Sequence, residues 1–439
     1  MRARFRMLAG RAWGVLRHPI SQNALALYWV QIATFVVPLV TLPYLSRVLE
    51  PEGFGLVVFA QSFSFILGLV VNFGFDGTAT REAAAHRDEP GALGELVARV
   101  QGAKLLLVGL SALVALVALA FVSKMHEHPG FLLFAWIAAV GQGLGPGWLF
   151  IGLERVRLPA VIQLSSRIIT AALTFVVVQG RGDGIWVLVL YAVGTMTGSV
   201  ITNALMYRIV PALRPRLSAS LAALRESWVL FVGLTGVTLY TSANVVVLGL
   251  FVANAQVAHF GAAERIVRAA VSALGPVAVA VYPRLAFLHA SDEPERARRL
   301  AWITIAVLGG VGLVAAVVLA LLAPVIIPVV YGPGFREAVD VLRVLAFIIP
   351  PISVGGALAA GWMLALRMDR KITKVILRAG VLNILLGCLA APLFGPLGMA
   401  ACVLVAELVV LGGCLYEIRR QEAGTEGVRL LRRPVPRRA

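Results

Sequence analysis

The sequence predicts an all-α polytopic membrane protein. Three observations predict it: an apolar composition, a row of stretches each long enough to cross a bilayer, and basic residues crowded on alternate sides of that row. Of 439 residues, 59% are hydrophobic and 14% charged, with a mean hydropathy of +0.89. Soluble domains are roughly 45–50% apolar and ~25% charged. A helical crossing of a ~30 Å hydrocarbon core needs ~20 apolar residues. The length therefore holds about a dozen crossings and leaves no room for a soluble domain of ordinary size.

Hydropathy places six spans at 23–45, 53–75, 102–122, 130–153, 158–179 and 184–207. Six more follow at 228–252, 257–282, 302–331, 341–366, 372–394 and 397–416. The chain is thus expected to divide into a basic arm (1–22), an N-lobe (23–207), a polar basic linker (208–226), a C-lobe (227–417) and a basic tail (418–439). The arm carries Arg2, Arg4, Arg6, Arg11 and Arg17. It reads as a cytoplasmic segment lying on anionic headgroups rather than a signal peptide, because the following apolar run is too long and no small-residue cleavage site closes it.

Basic residues give an independent reading of the topology. Of the 39 lysines and arginines, 29 fall in segments on the amino-terminal side of the spans, counting Lys374 at the edge of the eleventh span, and only Arg47, Lys124, Arg181 and Arg336 fall in the opposite loops. Cytoplasmic loops hold such an excess, so both termini are expected in the cytoplasm. The formal net charge of +17 is accounted for in this way, and no nucleic-acid partner is expected. Cys388, Cys402 and Cys414 lie in apolar runs with neither CxxC nor Cys/His spacing, and the six histidines form no paired-ligand pattern. Neither a disulfide framework nor a metal site is indicated, and no cofactor is expected.

Each half holds an even number of spans and so enters the membrane the same way round, as in a parallel repeat. Sliding the chain by 203 residues sets Leu45, Phe54, Ala60 and Gln61 opposite Leu248, Val257, Ala263 and Glu264. Two such lobes around a central cavity are the architecture of alternating access.

Six basic residues remain within or at the ends of spans: Lys104, Arg167, Arg265, Arg268, Arg343 and Arg378. A charge at the bilayer centre costs ~2.5–3.5 kcal/mol on insertion scales, so such groups usually face a cavity. In the eighth span, Arg265 and Arg268 lie about 12 and 17 Å deep at 1.5 Å per residue. Glu264 and Arg268 have the i,i+4 spacing of an ion pair, which turns Arg265 elsewhere for an anion. Arginine at that depth suits phosphate; a salt-bridge lock is the alternative use. Arg167 stands about 13 Å into the fifth span, facing a cavity or bonded to a neighbouring helix. Lys104 and Arg378, a few residues from span ends, are expected to snorkel. Glu407, alone in the last span, is a structural carboxyl or a coupling-ion site.

Uncharged polar groups cluster at Tyr240, Thr241, Ser242 and Asn244 in the seventh span, and Gln31, Gln61 and Asn72 occupy the first two; helix-to-helix bonding is their commoner use. Pro38 and Pro43 and the run Gly141–Gly147 mark hinges or tight packing points. That run lacks the Gly-Lys-Ser/Thr of a phosphate loop and follows no strand, so no nucleotide site is expected.

Three stretches carry a resemblance. PLVTLPYLSRVLEPEGFGLVVFAQSFSFILGLVVNFGFDGTATRE, GWLFIGLERVR (147–157) and LYTSANVVVLGLFVANAQVAHFGAAERIVRAAVSALGPVAVAVYPRL (239–285) resemble bacterial polysaccharide flippases of the Wzx or RfbX type, within the multidrug/oligosaccharidyl-lipid/polysaccharide exporter superfamily. The resemblance covers most of the chain; the last two spans match only in hydropathy. It implies a non-enzymatic transporter that moves an undecaprenyl-diphosphate-linked oligosaccharide across the inner membrane for O-antigen or exopolysaccharide assembly, beside polymerase and chain-length proteins. It also implies a cationic cavity lined by Arg265 and Arg268 with Glu264 and Asn244 beside them, and by Arg47 and Arg81, which bracket the second span. Alternatives are a lipid II flippase, a multidrug-cation antiporter and, from another class, a polytopic prenyl-sugar glycosyltransferase, polymerase or ligase. The antiporter would offer deep carboxylates, and the enzymes would offer a sizeable outer loop; every outer loop here is short.

Overall fold

A computed structural model describes residues 19–290, 294–359, 363 and 368–431. Among the described residues there is no strand, and helices carry nearly all of the chain. The chain forms two compact units: residues up to Thr235 with Val330–Gly332, and Gly236–Val329 with the chain from Pro333 onward.

In the first unit, α1 (Pro19–Asn72) carries two spans joined at Glu50, whose φ of 53° turns the chain just before Pro51. Proline disfavours helical geometry in the residue before it, and Arg181 Nη2 holds the turn at 2.5 Å from Glu50 Oε1. Phe73 and Gly74 then both take positive φ, 48° and 78°, and the helix resumes as α2 (Phe75–Ala85). There follow α3 (Pro90–Phe121), the short α4 (Ser123–Glu127), α5 (Pro129–Leu144) and α6 (Gly147–Gly152). The last are α7 (Arg157–Val177), α8 (Gly184–Met206) and most of α9 (Leu217–Thr241). Pro90 and Pro129 open their helices, where the missing N–H is no loss. Helix α5 packs on α1 and α8, α7 on the same two, and α2 on α6. A core of Phe75, Leu93, Leu96, Trp148 and Phe150 forms where α2, α3 and α6 meet, and Phe73 stacks on Phe231 at 4.2 Å.

The second unit begins at the end of α9 and contains α10 (Asn244–Gly249), α11 (Asn254–Ala290) and nearly all of α12 (Pro294–Tyr331). Its last helices are α13 (Ala338–Ala346), α14 (Ile349–Leu358) and α15 (Asp369–Leu431). Helix α15 repeats the device of α1: Gly395, at φ 55°, turns the chain before Pro396 and divides it into two spans. Helix α11 packs on α13 and α14, and α15 on α10, α13 and α14.

Among the described residues nine stretches are long and apolar enough to cross a membrane. Two of them, Val40–Ala85 and Arg370–Gln421, run to 46 and 52 residues and contain the Glu50 and Gly395 turns. This is a multi-pass all-α membrane protein. Leu116, Phe121 and Leu321 are exposed at 62%, 84% and 72%, an outer surface for lipid rather than water. The twelve expected spans all fall on described helix, apart from 360–362 and 364–367. Those residues lie outside the described ones, as do the arm to residue 18 and the tail from 432. Four spans are interrupted, after Asn72, after Leu144, after Thr241 and after Ala346. Of the four pairs set opposite one another by the 203-residue slide, three are buried alike, each in its own unit: Leu45 and Leu248, Phe54 and Val257, and Ala60 and Ala263 are all 5% exposed or less, while Gln61 is half-buried and Glu264 buried.

Candidate functional site

The packed side of α11 is set by Ala262, Ala263 and Val267, all 0% exposed, and this carries Glu264 inward with them. Arg268, one turn on, donates from Nε and Nη2 to Glu264 Oε1 at 3.1 and 2.6 Å. This is the pairing that the i,i+4 spacing predicts. The arginine still shows 43% of its side chain against 11% for the glutamate, so the carboxylate anchors the guanidinium while one side of it remains open. Arg265 is part-buried and takes part in an interaction of its own. Glu407, buried on the second span of α15, lies within electrostatic reach of Arg268. The structure therefore sets Glu407 near the Glu264–Arg268 ion pair, a proximity hidden by the 139 positions that separate Glu407 from Arg268 in sequence.

Asn244 opens α10 and is wholly buried. It accepts a hydrogen bond at Oδ1 from Asn383 Nδ2 of α15 at 2.6 Å, tying two helices whose apolar surfaces alone would not fix their register. Thr241 Oγ1 donates back to Val237 O at 2.8 Å, and the Tyr240 side chain lies outside the described residues.

Arg47, Arg81 and Arg167 stand on separate elements of the first unit. Arg47, exposed on α1, donates from Nη1 to Pro43 O at 2.9 Å. Arg81, exposed on α2, donates from Nε to Gly77 O at 3.3 Å. Arg167, exposed on α7, lies within electrostatic reach of the Tyr191 hydroxyl of α8. Arg343 is exposed and pairs with Asp340 at 2.8 Å, and Arg378 is exposed as snorkelling requires.

Lys104 departs from expectation. Its span was expected to begin at 102, but α3 begins at Pro90. The lysine thus sits about 20 Å along the helix, is 0% exposed and does not snorkel. Its Nζ donates to Gly145 O at 3.0 Å, and Asp76 at the start of α2 lies within electrostatic reach. The reason is the glycine run: α5 stops at Leu144, leaving carbonyls with no helical donor. Lys104 takes that of Gly145. Asn203 Nδ2 takes that of Leu144 at 3.1 Å, and Gln101 Nε2 braces Asn203 Oδ1 at 2.8 Å. A cation at a helix carboxyl end also complements the helix dipole. A lysine and an amide one turn apart (101 and 104), read together with a Gly-Pro break in another span, was the available signal.

The fold and these buried ionic groups define a class: a polytopic helical membrane protein with charged side chains inside its helix bundles. The family model described as "Polysaccharide biosynthesis protein" matches residues 20–289, and the chain belongs to that family. Over 410 residues it is 25% identical to an Escherichia coli (strain K12) protein named "Putative O-antigen transporter", covering 92% of this chain and 97% of that one. A Shigella dysenteriae protein of the same name is 26% identical over 398 residues, 89% of this chain and 98% of its own. Two solved structures share the fold at 14% identity. One is the lipid II flippase MurJ in an inward closed conformation, with a TM-score of 0.61 over 89% of this chain and 87% of that one. The other is a multidrug resistance MATE family transporter of the MOP superfamily in an inward-facing conformation, with a TM-score of 0.63 over 91% and 99%.

Proposed function

We propose that this chain is a flippase that moves an undecaprenyl-diphosphate-linked oligosaccharide repeat unit across the bacterial inner membrane by alternating access, for O-antigen or exopolysaccharide assembly. The reading is supported by the family, by the names of relatives matched along nearly the whole chain, and above all by Arg268. Its half-exposed guanidinium stands on α11, which hydropathy expects to cross the membrane, and is anchored by the nearly buried Glu264. A lipid diphosphate carries its charge where hydrocarbon resists it most. An arginine held by one carboxylate keeps donors for a second anion and lowers that cost.

In this account Arg268 and Arg265 bind the diphosphate, Glu264 positions Arg268, and Asn244 positions α10. Arg47, Arg81 and Arg167 are further cations for the anionic head as it moves. Glu264 and Glu407 are the candidate coupling groups. Both termini lie in the cytoplasm, and the chain has no catalytic step of its own; the product is handed to the polymerase and chain-length proteins. With the cell interior negative, outward movement of each anionic charge gains ~2.3 kcal/mol per 100 mV. Lipid II and multidrug transport share the fold, but likeness at 14% identity favours neither over the reading carried by the sequence relatives.

The test is flipping of a fluorescent prenyl-diphosphate oligosaccharide by purified protein in proteoliposomes. Transport that is faster with the substrate-accepting side negative is the expected result. Transport of lipid II or an organic cation in its place would assign the chain to one of the other activities.

A further inference from the structure

His259 lies five residues into α11 and is 5% exposed. Its ring stands edge-on to Phe335 at 5.8 Å, against the turn that joins α12 to α13. Both ring nitrogens face acceptors of that turn. Nε2 is 3.3 Å from Gly334 O. Nδ1 has Glu337 Oε2 beside it at 3.2 Å, but off the line of an N–H, so this buried nitrogen has no aligned hydrogen-bond partner. A neutral imidazole has one N–H. It cannot donate to a carbonyl and a carboxylate at once, and whichever nitrogen lacks the proton turns a lone pair toward an oxygen. One added proton removes the conflict, since imidazolium donates from both nitrogens. Glu337, 78% exposed, is free to swing into line.

Resting on the transport reading above, we propose that His259 is a proton-binding site of the transport cycle, with Glu337 and Gly334 as its acceptors. Proton uptake clasps the 333–337 turn to α11, and proton loss releases it. The turn belongs to the side that the loop charges assign to the outside, where protons are supplied. Helix α11 is the one that carries Glu264, Arg265 and Arg268. Glu264 is five residues further on, about 8 Å along the axis, so a clasp at His259 restrains the helix that holds the substrate cations.

Other charges near this end are few. The turn brings Arg336, and α13 brings Asp340 and Arg343, already paired at 2.8 Å. Helices α10 and α14 bring no ionisable side chain. Glu264, Arg265 and Arg268 lie further along α11 itself. From α15, Glu407 lies beside Arg268, and Lys371 is engaged with Glu417 at 3.5 Å.

The test measures flipping of the same labelled substrate at a fixed membrane potential, with and without an outside-acid gradient of about two pH units. The wild type is expected to run faster with the gradient. His259→Gln and Glu337→Gln are expected to keep transport and lose most of the response, their with-to-without ratio falling well below the wild type's, with any remainder carried by Glu264 and Glu407. Arg336→Gln on the same turn keeps the wild-type ratio. A second measurement needs no transport: with the native cysteines replaced, thiol labelling at Arg336→Cys should slow as the outer solution is acidified, and lose that dependence when combined with His259→Gln. A wild type that flips without regard to the gradient, a Glu337→Gln variant with the full response, or labelling indifferent to pH would overturn the proposal. Failure of the wild type to flip at all would instead count against the transport reading, and the labelling would still decide the clasp.

Discussion

The glycine run 141–147 offers a perturbation whose sign differs between neighbouring positions. A methyl group on Gly141 would lie 2.7 Å from Met196 N and 2.8 Å from Thr195 C, both backbone atoms of α8. Backbone cannot step aside by changing a rotamer, so Gly141→Ala must push α5 and α8 apart. Overpacking of this kind costs ~1–3 kcal/mol, although helix propensity alone would favour alanine by ~1 kcal/mol. The same substitution at Gly147 meets nothing within 4 Å, and at Gly145, with φ −57°, it asks for no unusual backbone. There the change should lie within ~0.5 kcal/mol or be slightly stabilising, because alanine restricts the unfolded chain. Thermal unfolding of the purified variants in mild detergent separates the cases: Gly141→Ala falls well below the wild type, while Gly145→Ala and Gly147→Ala match or exceed it. Equal midpoints for all three would refute the close approach of α5 to α8.

Three other outcomes follow from particular contacts. Asn203→Leu removes the shorter of the two donors to the Leu144 carbonyl, leaving Gln101 Nε2 at 3.5 Å, and takes from Gln101 its 2.8 Å acceptor, and should cost ~1–3 kcal/mol; an unchanged unfolding midpoint would show that Gln101 alone satisfies the end of α5. Glu264→Gln should alter stability by less than ~1 kcal/mol, because Arg268 is substantially exposed, yet lower flipping about tenfold or more by loosening that guanidinium; full activity would remove Glu264 from the account. Lys124, on α4 between spans, has its amine 5.5 Å over the Phe59 ring. Burial pushes it down to about 8, against the opposing pull of Glu52 and Glu127. Its folded value lies below the unfolded one, so between pH 8 and 10.5 the unfolded chain binds more protons and stability rises with pH. Lys124→Met should therefore raise the unfolding midpoint most at neutral pH, with the gain shrinking as pH climbs through that window; a gain independent of pH would contradict the burial.

The helices were legible because lipid imposes one rule on every span, and the same rule made the loop charges readable. The Glu50–Pro51 and Gly395–Pro396 turns fall where hydropathy separates two spans, each beside a proline that disfavours helix in the residue before it. The run from Pro90 to Gln101 was not legible as helix continuous with the third span, since its polar residues read as loop. That error placed Lys104 at a surface it does not reach. The Glu264–Arg268 pair was written in local spacing. Its neighbour Glu407 and the contact between His259 and Glu337 were not, because they join residues 139 and 78 positions apart and depend on which helix faces pack. The glycine run held two readings, hinge or packing point, and only the neighbours decide: packing at Gly141, a true break at Gly145 and Pro146.

The central claim is that guanidinium groups on α11 carry the diphosphate of a lipid-linked oligosaccharide. Its most direct measurement is proteoliposome flipping of that substrate by the wild type, Arg265→Ala and Arg268→Ala at matched levels of inserted protein. The account predicts that both variants insert normally and lose transport. Wild-type rates from both would contradict it.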